Sequence, residues 1–166
     1  VGIEFNKVFV IDAILDPVKK EIILPRIEYD FAKSELRDKS KIDLDILAAA
    51  LNDNLNVIVE LKSHTDFVGD NRSNLVLSQK RANACVKYLL SLGIDKGQLK
   101  AVGAGETEPF VIEEDNGRFK IGDVLTKSYI NKIKFRKNKK KAHQYNRRTS
   151  FKVLSEDYVS EDNIKK

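Results

Sequence analysis

The chain has 166 residues, 42% of them hydrophobic and 33% charged, enough apolar material for one core and too little for two ordinary domains. No run approaches the roughly 18 consecutive apolar residues of a spanning helix, and a single cysteine, Cys85, excludes an internal disulfide framework and a Cys-rich zinc site. The net charge of +5 is uneven: residues 118–148 hold twelve Lys or Arg and one acid, net +11, while the remainder holds 18 basic and 24 acidic side chains, net −6, which describes a mildly acidic domain with a basic insert.

Residues 21–29 are rich in β-formers, and Pro25 inside the run predicts a strand that is an edge or is broken. From Ser40, an N-cap candidate, Leu44, Leu47, Ala48, Leu51 and Leu55 follow helical spacing. Val57 to Leu61 is short and β-branched, a strand that delivers the polar loop Ser63-His64-Thr65-Asp66 at its C-terminal end. A second helix covers roughly 71–92 and stops at Gly93. Residues 98–103 read as a strand closed by Gly103-Ala104-Gly105, and Arg147 to Leu154 alternates as a half-buried strand with Arg147, Thr149, Phe151 and Val153 on one face. Helices alternating with strands in this way make an α/β sandwich with a mixed sheet.

One arginine breaks the pattern of the second helix. At about 100° per residue, Leu77, Ala84, Cys85, Tyr88, Leu89 and Leu92 share an apolar stripe, and Arg81 lies inside it, with Asn74 and Ser78 on the same side. A guanidinium cannot shed its proton to escape burial, so it needs an anion or a route to the rim. Asp66, in the loop feeding this helix, is the nearest candidate. Such a pair either pins the loop or faces a ligand carrying both signs of charge. Arg147, on the inward side of its strand, favours the ligand, because two arginines and an aspartate make a site for a zwitterion.

The segment Ser63-His64-Thr65-Asp66-Phe67-Val68-Gly69, followed by Asn74-Leu75-Val76-Leu77-Ser78-Gln79-Lys80-Arg81-Ala82, resembles the signature of the OmpA-like peptidoglycan-binding domain. Tyr29-Asp30-Phe31 with Leu36, Gly93-Ile94, Gly103-Ala104-Gly105-Glu106 with Pro109, and Asn146-Arg147-Arg148 resemble its other motifs in order. The resemblance covers about residues 21–154, with an insert at about 110–145; it leaves 1–20 as an extension or linker from a preceding module and 155–166 as a flexible tail. It implies non-covalent binding of the cell-wall stem peptide through diaminopimelate, whose side-chain end carries an ammonium and a carboxylate. By position, Asp66 takes the ammonium and Arg81 the carboxylate, Thr65, Asn74 and Leu75 touch the ligand, Arg147 sits beside the two charges, and the Asp30-Phe31-Ala32 loop closes the pocket. The family departs here in having glycine before the histidine, where this chain has Ser63, and a shorter connection before the last strand.

The resemblance further implies a periplasmic domain of a Gram-negative envelope protein, one that ties an outer-membrane or periplasmic protein to the wall. Such a domain needs no enzymatic activity, cofactor or metal, meets the membrane only through parts outside this chain, and is compatible with a homo-oligomer. The absence of methionine fits a piece of a longer protein. His64 and Asp66 lack a third ligand of the usual type, so His64 is expected to hydrogen-bond within its loop, and Cys85 reads as a small core residue. The alternative, binding of nucleic acid or another polyanion by the insert, suffers from Phe135 being the only aromatic in Lys132–Lys141. The first half of 118–148 has the apolar positions for a short helix; its second half, Lys134 to Lys141, lacks them and is expected to be a mobile basic loop outside the site.

Overall fold

A computed structural model describes residues 21–27, 29 and 33–160. In chain order these form strand β1 (Ile22–Ile23), helix α1 (Asp38–Asp53), strand β2 (Ile58–His64), helix α2 (Asn71–Ser91), a 3₁₀ turn at Lys96–Gln98, strand β3 (Leu99–Gly105), helices α3 (Lys127–Asn131) and α4 (Arg136–Asn146), and strand β4 (Thr149–Ser155). The sheet order is β1-β4-β2-β3. β2 and β3 are parallel, and β4 runs antiparallel to both β1 and β2, so the sandwich with a mixed sheet is the fold observed. No helix among the described residues is long and apolar enough to cross a membrane.

The first strand is curtailed as Pro25 predicts. After Leu24 N donates to Thr149 O at 2.9 Å the chain turns away, since proline has no N–H to continue the ladder. The turn is fastened to α1: Arg26 donates from its backbone N and from Nη1 to the buried Asp43 carboxylate at 2.8 and 2.7 Å, and Ser40 Oγ donates to Arg26 O at 3.1 Å. Ser40 is therefore not the N-cap. The helix begins two residues earlier, behind Arg37, because Ser40 and Asp43 are committed to a partner distant in sequence. Leu55 lies past the end of α1 and is 63% exposed, outside the core expected for it.

Leu44, Leu47 and Leu51 of α1, Cys85 and Leu89 of α2, Val59 and Leu61 of β2, and Phe151 and Val153 of β4 form one core. The opposite face of the sheet is charged. Glu60 stands there between its cross-strand neighbours Lys100 and Lys152, at 3.2 and 3.8 Å. Helix α2 is capped by Asp70, whose side chain accepts from Ser73 N at 3.0 Å, and is ended by Gly93 at φ +89°, a conformation side chains resist.

The segment between β3 and β4 builds a second cluster from Ile112, Phe119, Leu125, Ile130, Ile133 and Ala142. Its first half contains the short helix expected, α3. Its second half is not a mobile loop but helix α4. The apolar partners of α4 lie outside the lysine run: Tyr145 stacks on Phe110 at 5.3 Å and meets Phe119 edge-on at 5.9 Å. The buried Asn146 accepts from Phe110 N and donates to Leu125 O, both at 2.8 Å. The tail is also held further than expected, because Tyr158 N donates to Asn56 O at 2.9 Å and Asn56 Nδ2 to Glu156 O at 2.8 Å.

Candidate functional site

The site forms where the parallel pair β2–β3 ends and α2 begins. Thr65 N donates to Gly105 O at 2.8 Å, which holds the loop after β2 against the end of β3. Gly105 sits at φ +57° with the backbone of Leu75 3.3 Å from where a Cβ would stand, so a side chain there would meet both strain and the first turn of α2. Ser78 Oγ accepts from Gly105 N at 2.8 Å, and Gln79 Oε1 accepts from Gly103 N at 2.9 Å. Helix and strand are thus fixed to each other one turn before Arg81.

Asp66 is the hub. Its Oδ1 accepts from Val68 N at 3.1 Å, and its Oδ2 accepts from Arg147 Nη1 at 2.5 Å and faces His143 Nδ1 at 3.1 Å. Both partners come from the C-terminal end of α4 and the residue that follows it. Asn74 ties the loop down, donating from Nδ2 to Asp66 O, Val68 O and Glu106 Oε2, the last at 2.6 Å. The hydroxyl of Thr65 is buried without a hydrogen-bond partner. Leu75 is half exposed on the first turn of α2, and Arg147 is partly exposed beside Asp66.

Arg81 is 4% exposed, inside the apolar stripe as its spacing predicts. The partnership with Asp66 takes a different form from a direct pair, since Arg147 and His143 are the groups bonded to that carboxylate. Arg81 Nε donates to Lys33 O at 3.0 Å, and its guanidinium lies over the Tyr29 ring at 4.5 Å. Burial pushes the guanidinium below its ordinary value; Tyr29 pulls it back, Arg147 lowers it further and Asp66 supports it. Arg81 thus feels the charges of both Asp66 and Arg147. Of the residues expected at the site, Asp66 is joined to Arg147 and Asn74, Thr65 precedes it in the loop, Leu75 lies on the first turn of α2 and Arg81 near the middle of that helix, while Asp30, Phe31 and Ala32 lie outside the described residues.

Two participants escape sequence reasoning. Glu106 closes the Gly103-Ala104-Gly105-Glu106 motif, to which no contact with the site is assigned from sequence. His143 lies four residues before Arg147, one turn back on the same helical face, a signal hidden because the basic run does not read as a helix. Phe67 packs on the His143 ring at 4.9 Å and joins the second cluster, so α4, expected to be a mobile loop away from Asp66, packs against the loop that carries it.

His64 hydrogen-bonds not within its loop but as the last residue of β2, with Nε2 3.2 Å from Glu21 Oε1. Burial pushes its imidazole down, toward the neutral form. A proton on Nε2 satisfies Glu21 and leaves Nδ1 a bare lone pair, which is the buried atom without a partner. Ligand atoms of Glu21, His64 and Glu108 lie within 4.8 Å of one another, but Lys62 Nζ already occupies Glu108 at 3.2 Å, so this is an ion-pair network. The His64 hydrogen bond, outweighing burial and assisted by Ser150 and Arg148, lowers Glu21 from 4.5 to about 2. A depressed carboxyl contributes stability above its unfolded value that fades as pH falls toward the folded one. Between pH 4.5 and about 2 the wild-type melting temperature is expected to drop several degrees more than that of Glu21→Gln; parallel melting curves would show the network to be inert. Cys85 is a buried core residue whose Sγ lies 3.3 Å from the Tyr29 hydroxyl, and burial pushes its thiol up to about 12.

Comparison with known proteins bears on the family and the fold. The sequence model described as the OmpA family matches residues 28–121. Outer membrane porin F of Pseudomonas aeruginosa is 32% identical over 102 residues, 60% of this chain and 29% of the porin. A peptidoglycan-associated lipoprotein of Haemophilus influenzae is 32% identical over 93 residues, 56% of this chain and 61% of the lipoprotein. The chain therefore spans less than two thirds of the length of these relatives. The crystal structure of the peptidoglycan-associated lipoprotein from Burkholderia pseudomallei shares the fold, with a TM-score of 0.59 at 21% identity, covering 87% of this chain and 99% of that one.

Proposed function

The chain belongs to the OmpA family, and from that membership and the charges gathered around Asp66 we propose that it binds peptidoglycan non-covalently, through the diaminopimelate of the stem peptide. The domain, residues 21–154 with its insert at about 110–145, anchors an outer-membrane or periplasmic protein to the wall from the periplasmic side. The observation that carries the reading is the buried Asp66 carboxylate bonded to Arg147, with Arg81 buried farther along α2. Asp66 receives the side-chain ammonium, Arg81 and Arg147 favour the adjacent carboxylate, the buried, unpartnered hydroxyl of Thr65 supplies a further polar contact, and the N–H groups at the helix start add positive potential. Leu75 and Arg147, the more exposed members, form the approach, with Asn74 holding the loop from behind.

The reading is tested by calorimetric titration with two stem peptides that differ only at the third residue. Lysine keeps the ammonium but brings no carboxylate to Arg81 and Arg147, so the interaction those guanidinium groups are set to make is lost. The lysine peptide is expected to bind at least ~10-fold more weakly than the diaminopimelate peptide. Equal affinities, or binding of neither peptide, would remove this assignment. Nucleic-acid or polyanion binding by the basic segment has little support: α4 presents one large exposed aromatic, Phe135, near its start, and Lys141 is engaged with Asn116 Oδ1 at 2.9 Å.

A further inference from the structure

We propose that His143 is part of the ligand site and that its charge sets how well Asp66 receives an ammonium; this rests on the assignment of Asp66 to the stem-peptide ammonium. A carboxylate offers about four lone-pair positions. On Asp66, Arg147 and His143 face Oδ2, and Val68 N takes one position on Oδ1. The position left on Oδ1 is where an ammonium adds without displacing a neighbour. Arg147 by itself balances the charge of Asp66. A neutral imidazole donating from Nδ1 leaves that balance intact, whereas an imidazolium places a second positive charge on the same oxygen, with Arg81 a third nearby.

The ring is set for this part. Phe67 packs against it at 4.9 Å with a 48° tilt, and the side chain is 14% exposed, so orientation is fixed while protons still exchange. The charged groups around it are Asp66 from the β2–α2 loop, Arg81 beyond Asp66 on α2, Lys127 of α3 across the Phe67 ring at 5.7 Å, and Lys139, Lys140 and Arg147 one turn away along its own helix. Histidine is the side chain whose ordinary charge change falls between pH 5 and 8, and this one is supplied by the insert.

The test is titration of the diaminopimelate stem peptide into the folded chain at pH 7.5 and 5.5. Wild-type affinity is expected to fall fivefold or more at the lower pH. His143→Gln, which keeps an uncharged donor, is expected to lose less than twofold between pH 7.5 and pH 5.5, whatever its starting affinity. His143→Ala should lose both the pH dependence and several-fold affinity at pH 7.5. By reciprocity, saturating peptide should move the titration midpoint of the His143 ring resonance to lower pH, a readout needing no variant. Equal pH slopes in wild type and His143→Gln, or an unmoved midpoint, would overturn the role of His143 while leaving the site intact. Failure of wild type to bind at either pH would instead overturn the reading of the site.

Discussion

Arg81→Lys is expected to weaken binding of the diaminopimelate stem peptide by at least ~30-fold, with the domain still folded. The substitution keeps the charge and removes the planar fork, which here serves two directions at once: Nε holds Lys33 O at 3.0 Å while the guanidinium plane covers Tyr29. An ammonium on a flexible stem reproduces neither the stacking nor the paired contact that a carboxylate receives from a fork. Losing one partner of a desolvated, hydrogen-bonded charge pair costs roughly 2–5 kcal/mol in affinity, and ~2 kcal/mol is already about 30-fold. Lysine is more informative than alanine, because alanine would also open a cavity against Tyr29 and confuse lost affinity with lost packing. Calorimetry beside a thermal melt separates the two effects. Affinity within threefold of wild type in a variant that melts normally would show that Arg81 only supports the fold.

Gly103→Ala should have the largest effect on stability. A Cβ at residue 103 would stand 2.3 Å from Gln79 N, 2.6 Å from Gln79 Cα and 2.7 Å from Ser78 Oγ. Two of those atoms are helix backbone, so no rotamer change relieves the contact and α2 must move off β3. Overpacking of this kind costs typically ~1–3 kcal/mol, and the move also stretches the hydrogen bonds Gly103 N to Gln79 Oε1 and Gly105 N to Ser78 Oγ, each worth about 1 kcal/mol. For a domain of this size the sum lowers the melting temperature by about 10 °C. Because Arg81 lies two residues beyond Gln79, peptide affinity should fall as well. A melting temperature within 2 °C of wild type would mean that helix and strand are less closely coupled than the distances state.

The core is readable in the sequence because it is periodic. Leu44, Leu47 and Leu51 repeat at helical spacing, Phe151 and Val153 alternate, and all five are buried. Arg81 is readable for the converse reason: a charge inside an apolar stripe is conspicuous. Ser40 misleads, since a serine at the start of an apolar run has the same local signature whether it caps a helix or, as here, donates to Arg26 O fourteen residues back. The neighbours of Asp66 are harder still. Arg147 and His143 reach it from a helix whose apolar contacts, Phe110 and Phe119, lie before the lysine run in the chain, so no local window contains both the helix and its reason for forming. Ligand-facing types announce themselves by misfit, whereas the contacts that set their geometry depend on tertiary packing.

The strand order has a kinetic consequence. β2, α2 and β3 are consecutive in the chain and can pair early, bringing together Asp66, Asn74 and Arg81 through contacts between near neighbours in sequence. β4 comes last yet lies between β1 and β2, with Ile22 opposite Phe151 and Leu61 opposite Phe151 on its other side. The sheet therefore cannot close until the final strand has been made and has found two distant partners, the slow kind of event in chain folding. Arg147 stands at the junction of α4 and that strand. An incompletely folded domain thus holds the acid and one arginine without the second, and the proposed stem-peptide site is completed only with the step that completes the fold.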